Sequence, residues 1–268
     1  MKSKQLLRAG FVQNNPIFAS VQQNLNRIEK LIKNQNADLF VLPELFATGY
    51  QFKDMKESSG LAEPIPGGVT TSRLTAIAKK NNSFIIAGLA EIDKDQVYNS
   101  AVVVGPRGYI GKYRKLHLFD REKFCFQQGN LPLQIFEIFG AKVGVMICFD
   151  WRFPETARKL SLIGADLIAH PSNLVLTHCP QAMITRCLEN RIFAVTADRV
   201  GIENRFGGES LNFIGQSQVI DPNGNILVRA SMTNEEVHVV ELDLSLARDK
   251  SLNSRNHIFK DRRHDIYH

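Results

Sequence analysis

The chain has 268 residues, 44% of them apolar and 22% charged, with a formal net charge of +6, a composition able to bury a core without disulfide or metal staples. The basic residues are scattered, and the short cluster of Lys260, Arg262 and Arg263 is interrupted by Asp261 and Asp265, which argues against a phosphate-binding stripe and hence against nucleic acid as a partner. No window approaches a membrane span and the basic start, Met1 to Arg8, lacks a signal peptide's apolar stretch, so the four cysteines, which show no C-x-x-C pair or zinc spacing, are expected to be reduced thiols in the cytoplasm.

In chain order, residues 6–13 read as a strand. Over 16–34, Val21, Leu25, Ile28 and Ile32 recur at helical spacing, with Pro16 suited to the first turn. Residues 38–43 form a short, nearly continuous apolar run, as expected of a buried strand. A helix follows over 70–80, then strands over 84–91 and 97–104. The turn Gly105-Pro106-Arg107-Gly108 returns the chain as the hairpin arm 109–114. The second half gives a strand over 141–147, a helix over 153–163, a strand over 166–170, a helix over 180–190 and a strand over 193–197. A second hairpin, 214–220 with 225–229, turns at Asp221-Pro222-Asn223-Gly224.

The two halves match in order. Ala37-Asp38-Leu39 leads to Pro43 as Ala165-Asp166-Leu167 leads to Pro171, and the hairpins fall at corresponding places, which points to a duplicated unit. Each unit has a sheet covered by helices on one face, so two units bury their bare faces against each other. The expected fold is α/β, a four-layer α-β-β-α sandwich with two mixed sheets and an internal pseudo-two-fold repeat. No linker interrupts it, so a single domain spans 1–268.

Three residues stand out chemically. Cys148 ends the apolar strand Val143-Gly144-Val145-Met146-Ile147, where a helix begins; helix N–H groups near such a turn favour a thiolate and an oxyanion. Buried packing is the alternative for a lone cysteine. Glu44 follows a buried strand in Leu42-Pro43-Glu44-Leu45-Phe46, and a carboxylate there is costly unless paired or used. Lys115 follows the first hairpin in Tyr113-Arg114-Lys115-Leu116-His117-Leu118; taken alone, it reads as a solvated surface lysine.

Together, Leu42-Pro43-Glu44, the Lys115 stretch and Ile147-Cys148-Phe149-Asp150-Trp151-Arg152-Phe153-Pro154-Glu155 resemble, in order and spacing, the three signature segments of the nitrilase superfamily, the carbon–nitrogen hydrolases. The resemblance extends through Tyr98-Asn99-Ser100-Ala101, Ala169-His170-Pro171-Ser172-Asn173, Leu188-Glu189-Asn190-Arg191 and Phe259-Lys260-Asp261-Arg262-Arg263. It thus covers nearly the whole chain, and within the superfamily it leans toward archaeal nitrilase-like proteins. It implies the same four-layer sandwich and a Glu44–Lys115–Cys148 triad. In that triad Glu44 is the general base, Cys148 the nucleophile, and Lys115 with the Phe149 backbone N–H stabilises the intermediate. It also implies that Glu122 positions substrate and Lys115. The implied activity is amidase-type hydrolysis of a small linear amide or N-carbamoyl compound through a thioester, with release of ammonia. The alternatives are a nitrilase acting on a small aliphatic nitrile, acyl transfer to an amine, and a non-catalytic binding protein. The resemblance implies no metal and no organic cofactor, and it implies a homodimer, with the helix around Leu188 and the basic tail, about 245–268, as contact elements.

Asn173, near the repeat equivalent of Glu44, is expected near the pocket, and Cys125 at its border. Cys179 and Cys187 are expected to flank or lie on a helix and to pack there, and His117 to be a satisfied buried histidine. Asp150, Arg152 and Glu155 are expected to close salt bridges that fix the Cys148 loop. The glycines around Gly111-Lys112 do not form a nucleotide loop, because Tyr113 stands where Ser or Thr would bind magnesium.

Overall fold

The computed structural model describes residues 5–207 and 210–266; the start of the basic N-terminal stretch and the last two residues of the tail lie outside them. The first half contains β1 (Leu6–Gln13), α1 (Val21–Ile32), β2 (Leu39–Val41), α2 (Met55–Leu61), α3 (Val69–Asn81), β3 (Phe84–Asp93), β4 (Gln96–Gly105) and β5 (Gly108–Arg114). The second half contains β6 (Ile135–Ile138), β7 (Ala141–Val145), α4 (Pro154–Leu162), β8 (Leu167–Pro171), α5 (Cys179–Asn190) and β9 (Phe193–Ala197). It continues through β10 (Val200–Glu203), β11 (Leu211–Ile214), β12 (Gln218–Ile220), β13 (Ile226–Arg229), β14 (Glu236–Asp243) and α6 (Ser245–Arg248).

Two six-stranded mixed sheets result, ordered β14-β1-β2-β3-β4-β5 and β13-β12-β9-β8-β7-β6. Alternation of side chains sorts each strand between two layers. In the first sheet Leu7, Ala9, Phe11, Leu39, Val41, Ile86, Ala101 and Val103 join a core shared with Val143, Val145, Leu167 and Ala169 of the second. Their neighbours Val12, Phe40, Leu42, Ile85, Ala87, Val102 and Val104 face the other way, onto Leu25, Ile28 and Ile32 of α1 and Leu74 and Ile77 of α3. Across the sheet interface β1 meets β9 and β12, β2 meets β8 and β9, and β3 meets β8, while α4 covers β7 and α5 covers β9 and β12. The expected layering is what these contacts describe.

The repeat is visible in the hydrogen bonds. Ala9 and Phe84 flank Leu39 in the first sheet as Val143 and Phe193 flank Leu167 in the second. The Asp38 carboxylate accepts from the Arg8 N–H at 2.8 Å, and the Asp166 carboxylate accepts from the Lys142 N–H at 3.0 Å. Each aspartate therefore ties the start of one parallel strand to its neighbour, and each sheet carries its antiparallel hairpin, β4–β5 or β12–β13, on the far side.

Two elements depart from the sequence reading by more than two residues. The first helix starts at Val21 rather than at Pro16. The Asn24 side chain binds both the N–H and the C=O of Ile17, at 2.9 and 2.7 Å, and also the Ala47 carbonyl at 2.8 Å, pinning the preceding loop. The run 214–220 is not one strand. Gly215 and Gln216, both at positive φ, break it, so β11 pairs with β10 as a separate ribbon and only β12 joins the hairpin. The strand β14, which pairs antiparallel with β1 and edges the first sheet, lies outside the expected set, as do α2, β6, β10 and α6. Among the described residues no helix is long and apolar enough to cross a membrane.

Candidate active site

The chain leaving β2 and the chain leaving β7 each turn through a residue at positive φ, Leu45 and Cys148. After β2 and Pro43 comes Glu44, fully buried, then Leu45 at φ +49. Gly88 of β3 lies beneath this turn: a Cβ there would fall 2.4 Å from the Glu44 Cα, so only glycine lets the two backbones approach this closely. After β7, Cys148 sits at φ +40 and opens a 3₁₀ turn, Cys148–Arg152. A non-glycine residue in the left-handed region is strained, and such strain recurs where a reactive side chain must be presented from a strand end.

Lys115, just past β5, is fully buried rather than solvated. Its backbone N–H donates to the Asn99 carbonyl at 2.8 Å and its carbonyl accepts from Gly129 at 2.9 Å, so the segment continues as an ordered ladder into the interior. The Lys115 Nζ donates to Glu44 Oε1 at 2.6 Å and to Glu122 Oε1 at 2.7 Å. Glu44 Oε1 also accepts from Asn99 Nδ2 at 2.7 Å, whereas its Oε2 is buried with no hydrogen-bond partner. Glu122, in the 3₁₀ turn Asp120–Phe124, accepts from the Tyr50 hydroxyl at 2.7 Å and from the Phe119 N–H at 3.2 Å. Asn173 bridges two of the segments. Its Nδ2 donates to the Glu44 carbonyl at 2.8 Å, and its own carbonyl lies 3.7 Å from Cys148 Sγ.

Burial sets the protonation pattern. It pushes the Glu44 carboxyl up to about 7, with the Lys115 ammonium pulling it back and the Glu122 charge adding to the rise. Burial opposes the Lys115 ammonium, but the charges of Glu122 and Glu44 outweigh it and hold its pKa above the ordinary lysine value. Burial and the Glu44 charge hold the Cys148 thiol well above its usual range. Burial and the Glu44 charge thus act against the thiolate that helix N–H groups favour, and they hold the sulfur as a thiol. A base beside it is then required for attack, and a carboxyl near 7 is suited to exchange protons at neutral pH.

The loop carrying Cys148 is fastened from below. Asp150 Oδ2 accepts from the Tyr113 hydroxyl at 2.7 Å and the Ile147 N–H at 2.9 Å, and its Oδ1 accepts from the His117 N–H at 3.1 Å and contacts His117 Nδ1 at 2.7 Å. One buried carboxylate thus joins the Lys115 and Cys148 segments. The expected salt-bridged trio reduces to this one residue: Arg152 lies over the Trp151 ring and Glu155 is exposed on the first turn of α4. His117 is satisfied but only partly buried, stacked on Phe153 with ring centroids 3.7 Å apart. His170, pushed down to about 4 by burial and so neutral, donates from Nε2 to the Cys148 carbonyl at 2.9 Å.

Cys148, Phe149 and Asn173 line a narrow cleft whose other walls are Phe119, Trp151, Leu174, Val175 and Leu176. Through Phe119 and Val175 it adjoins a second hollow lined by Tyr50, Glu122 and Cys125, among others. All six residues singled out for the site, Glu44, Lys115, Glu122, Cys148, Phe149 and Asn173, come together here. Cys125 borders the hollow as expected, and Cys179 and Cys187 are packed in the core. Tyr50, Asn99 and His170 were not singled out. Asn99 and His170 lie within stretches that carry the family resemblance, but nothing in the local sequence names their partners.

Comparison with known proteins gives a consistent result. The carbon-nitrogen hydrolase family profile matches residues 8–250. A protein of Pyrococcus abyssi named nitrilase is 52% identical over 265 residues, covering 98% of this chain and 99% of that one. An omega-amidase of Xenopus tropicalis is 33% identical over 262 residues, covering 91% of each chain. The crystal structure of a carbon-nitrogen hydrolase from Helicobacter pylori superposes with a TM-score of 0.86 at 27% identity, covering 98% of this chain and 97% of that one.

Proposed function

The chain belongs to the carbon–nitrogen hydrolase family, and on that premise we propose that it hydrolyses a small linear amide or N-carbamoyl compound, releasing ammonia through a thioester on Cys148. The observation that carries this reading is the Lys115 ammonium held 2.6 Å from a Glu44 carboxyl poised near neutrality, beside a buried thiol that needs a base. Glu44 takes the proton from Sγ as the sulfur attacks the carbonyl carbon. The negative charge that develops on oxygen faces Lys115 Nζ and the Phe149 N–H, fixed donors in a dry site. Glu44 returns its proton to the nitrogen, the C–N bond breaks and ammonia leaves. Glu44 then takes a proton from water, hydroxide adds to the thioester, and the thiol departs with the proton that Glu44 gives back. The apolar cleft walls suit a short acyl chain, and Glu122 and Asn173 hold Lys115 and the Glu44 turn in place.

A second reading, hydrolysis of a small aliphatic nitrile, is favoured by the 52% identity to a protein named nitrilase. It uses the same three side chains, so a substrate panel separates the two. Ammonia release is expected from short aliphatic amides or carbamoyl amines, with iodoacetamide labelling Cys148 at least about tenfold faster than Cys125, Cys179 or Cys187. Release from nitriles alone moves the assignment to the second reading; uniform labelling of the four cysteines removes Cys148 as nucleophile.

We also infer a homodimer, built on the helix face around Leu188 and the C-terminal tail. Leu188 is 54% exposed, and Leu162, Ile163, Ile226 and Leu227 of the second half are exposed too, apolar side chains that a second copy of the chain can cover. Multi-angle light scattering is expected to give twice the mass of the chain; a monomer at micromolar concentration removes this inference. The four unpaired, buried thiols fit a reducing compartment such as the cytoplasm, and fractionation that recovers the protein only outside the cell contradicts that location.

A further inference from the structure

A line of buried contacts outside the reacting trio runs from the β10–β11 ribbon into its carboxylates. Gly49, at φ +83, turns the segment beyond Glu44, and a Cβ there would fall 2.9 Å from the Phe18 ring and 3.0 Å from Glu203 Oε1. The bare backbone lets the Glu203 carboxylate accept from the Tyr50 N–H at 3.1 Å and the Gln51 N–H at 2.6 Å. Glu203 is in turn paired with the buried Arg199 guanidinium. Arg199 lies 4.0 Å over the Phe213 ring, and Phe213 meets the Tyr50 ring edge-on at 5.9 Å. Backbone and ring of Tyr50 are therefore both fixed by the ribbon. Its hydroxyl donates to Glu122 Oε1, the same oxygen that accepts from Lys115.

We propose that Tyr50, clamped by Glu203 and Arg199, is a positioning residue that holds Glu122 so that the Lys115 ammonium is shared with Glu44 instead of being drawn away from it. The inference rests on the reading of Glu44, Lys115 and Cys148 as the reacting groups. A carboxylate oxygen has two lone-pair directions. With the phenol on one of them, Glu122 Oε1 takes a single proton from Lys115 and leaves the remaining N–H groups for Glu44 and the incoming oxyanion. Without the phenol, Glu122 competes harder for the ammonium, and its charge bears on Glu44 unrelieved. Burial and the charges of Glu122 and Glu44 keep the Tyr50 hydroxyl well above the usual phenol range, so it stays a donor at working pH. Among the described residues the titratable groups that act on Glu44 are Lys115, Glu122, Cys148, Tyr50 and Asp198.

The test is Tyr50→Phe, which deletes one oxygen, with iodoacetamide labelling of each cysteine followed by peptide mass spectrometry between pH 5 and pH 9. The acid limb of Cys148 labelling reports Glu44 accepting the thiol proton. It is expected to move up by about half a pH unit or more, because Glu44 becomes harder to ionise. Coincident limbs in wild type and Tyr50→Phe overturn the proposal. So does a raised KM with an unmoved limb, which marks Tyr50 as a substrate contact, or a smaller reactive fraction with an unmoved limb, which marks it as merely structural. If wild-type Cys148 reacts no faster than the other cysteines, the reading of the nucleophile fails instead, and the two failures are told apart within one data set.

Discussion

Replacing Cys148 by alanine is expected to lower ammonia release by about 10⁴-fold or more, the scale on which hydrolases lose turnover when a covalent nucleophile is removed. The fold should survive. The side chain is small, and among the described residues no hydrogen bond beyond the long Sγ contact to the Asn173 carbonyl depends on it. The strain at φ +40 belongs to the backbone and is the same for either residue. An unfolding free energy from urea titration within about 1 kcal/mol of wild type is the expected companion result. Cys148→Ser sharpens the test. Serine fills the site and keeps a nucleophilic atom, but a hydroxyl gives up its proton far less readily than a thiol, and a base near 7 cannot withdraw it. Both variants should therefore be inactive and folded. Alanine retaining more than about a hundredth of wild-type turnover would show that the thioester route is wrong.

Which parts of this site are readable before folding follows from the range of the physics involved. Cys148 and Glu44 announce themselves locally, as polar groups at the ends of apolar strands, where a side chain must leave the sheet. The repeat is local as well, since Asp38 and Asp166 each bind the neighbouring parallel strand and sit at matching places before Leu39 and Leu167. Lys115 is different. Its own segment is basic and reads as surface, and what draws it inward is a pair of carboxylates, one of them 71 positions earlier in the chain. Only the joint order of three motifs makes that visible. Tyr50 gives no signal of its own, because its meaning comes from Glu122 on one side and from Glu203, 153 positions away, on the other. The strand β14 is missed for a related reason: its alternating apolar residues are legible, but its partner β1 lies at the opposite end of the chain. The late start of α1 likewise depends on Asn24 reaching the Ala47 carbonyl, a contact no periodicity encodes.

Lys115→Met is expected to remove activity and to change how stability responds to pH, and the second effect tests the electrostatics independently of any substrate. Methionine matches the length and packing of the lysine stem but leaves Glu44 and Glu122, both now within reach of one ammonium, facing each other in a buried pocket. Two carboxylates in such a place hold a proton between them. Glu44, already raised to about 7 by burial with the ammonium present, rises further when that ammonium is gone. A carboxyl whose folded pKa is raised supports the folded state below its unfolded value near 4.5, and that support is lost as pH climbs through the folded value. The deficit of Lys115→Met relative to wild type should therefore be small at pH 5 and grow through pH 7 to 9, toward the roughly 3–5 kcal/mol that breaking a buried ion pair costs. Turnover should fall about 10³-fold or more at pH 7, because the base is protonated and the developing oxyanion has lost its cation. Urea unfolding at pH 5, 7 and 9 measures the first effect and ammonia release the second. A stability loss independent of pH, or a variant keeping a tenth of the activity, would mean that the ammonium does not hold the two carboxylates apart from their proton, and the charge arrangement assigned to this pocket would have to be abandoned.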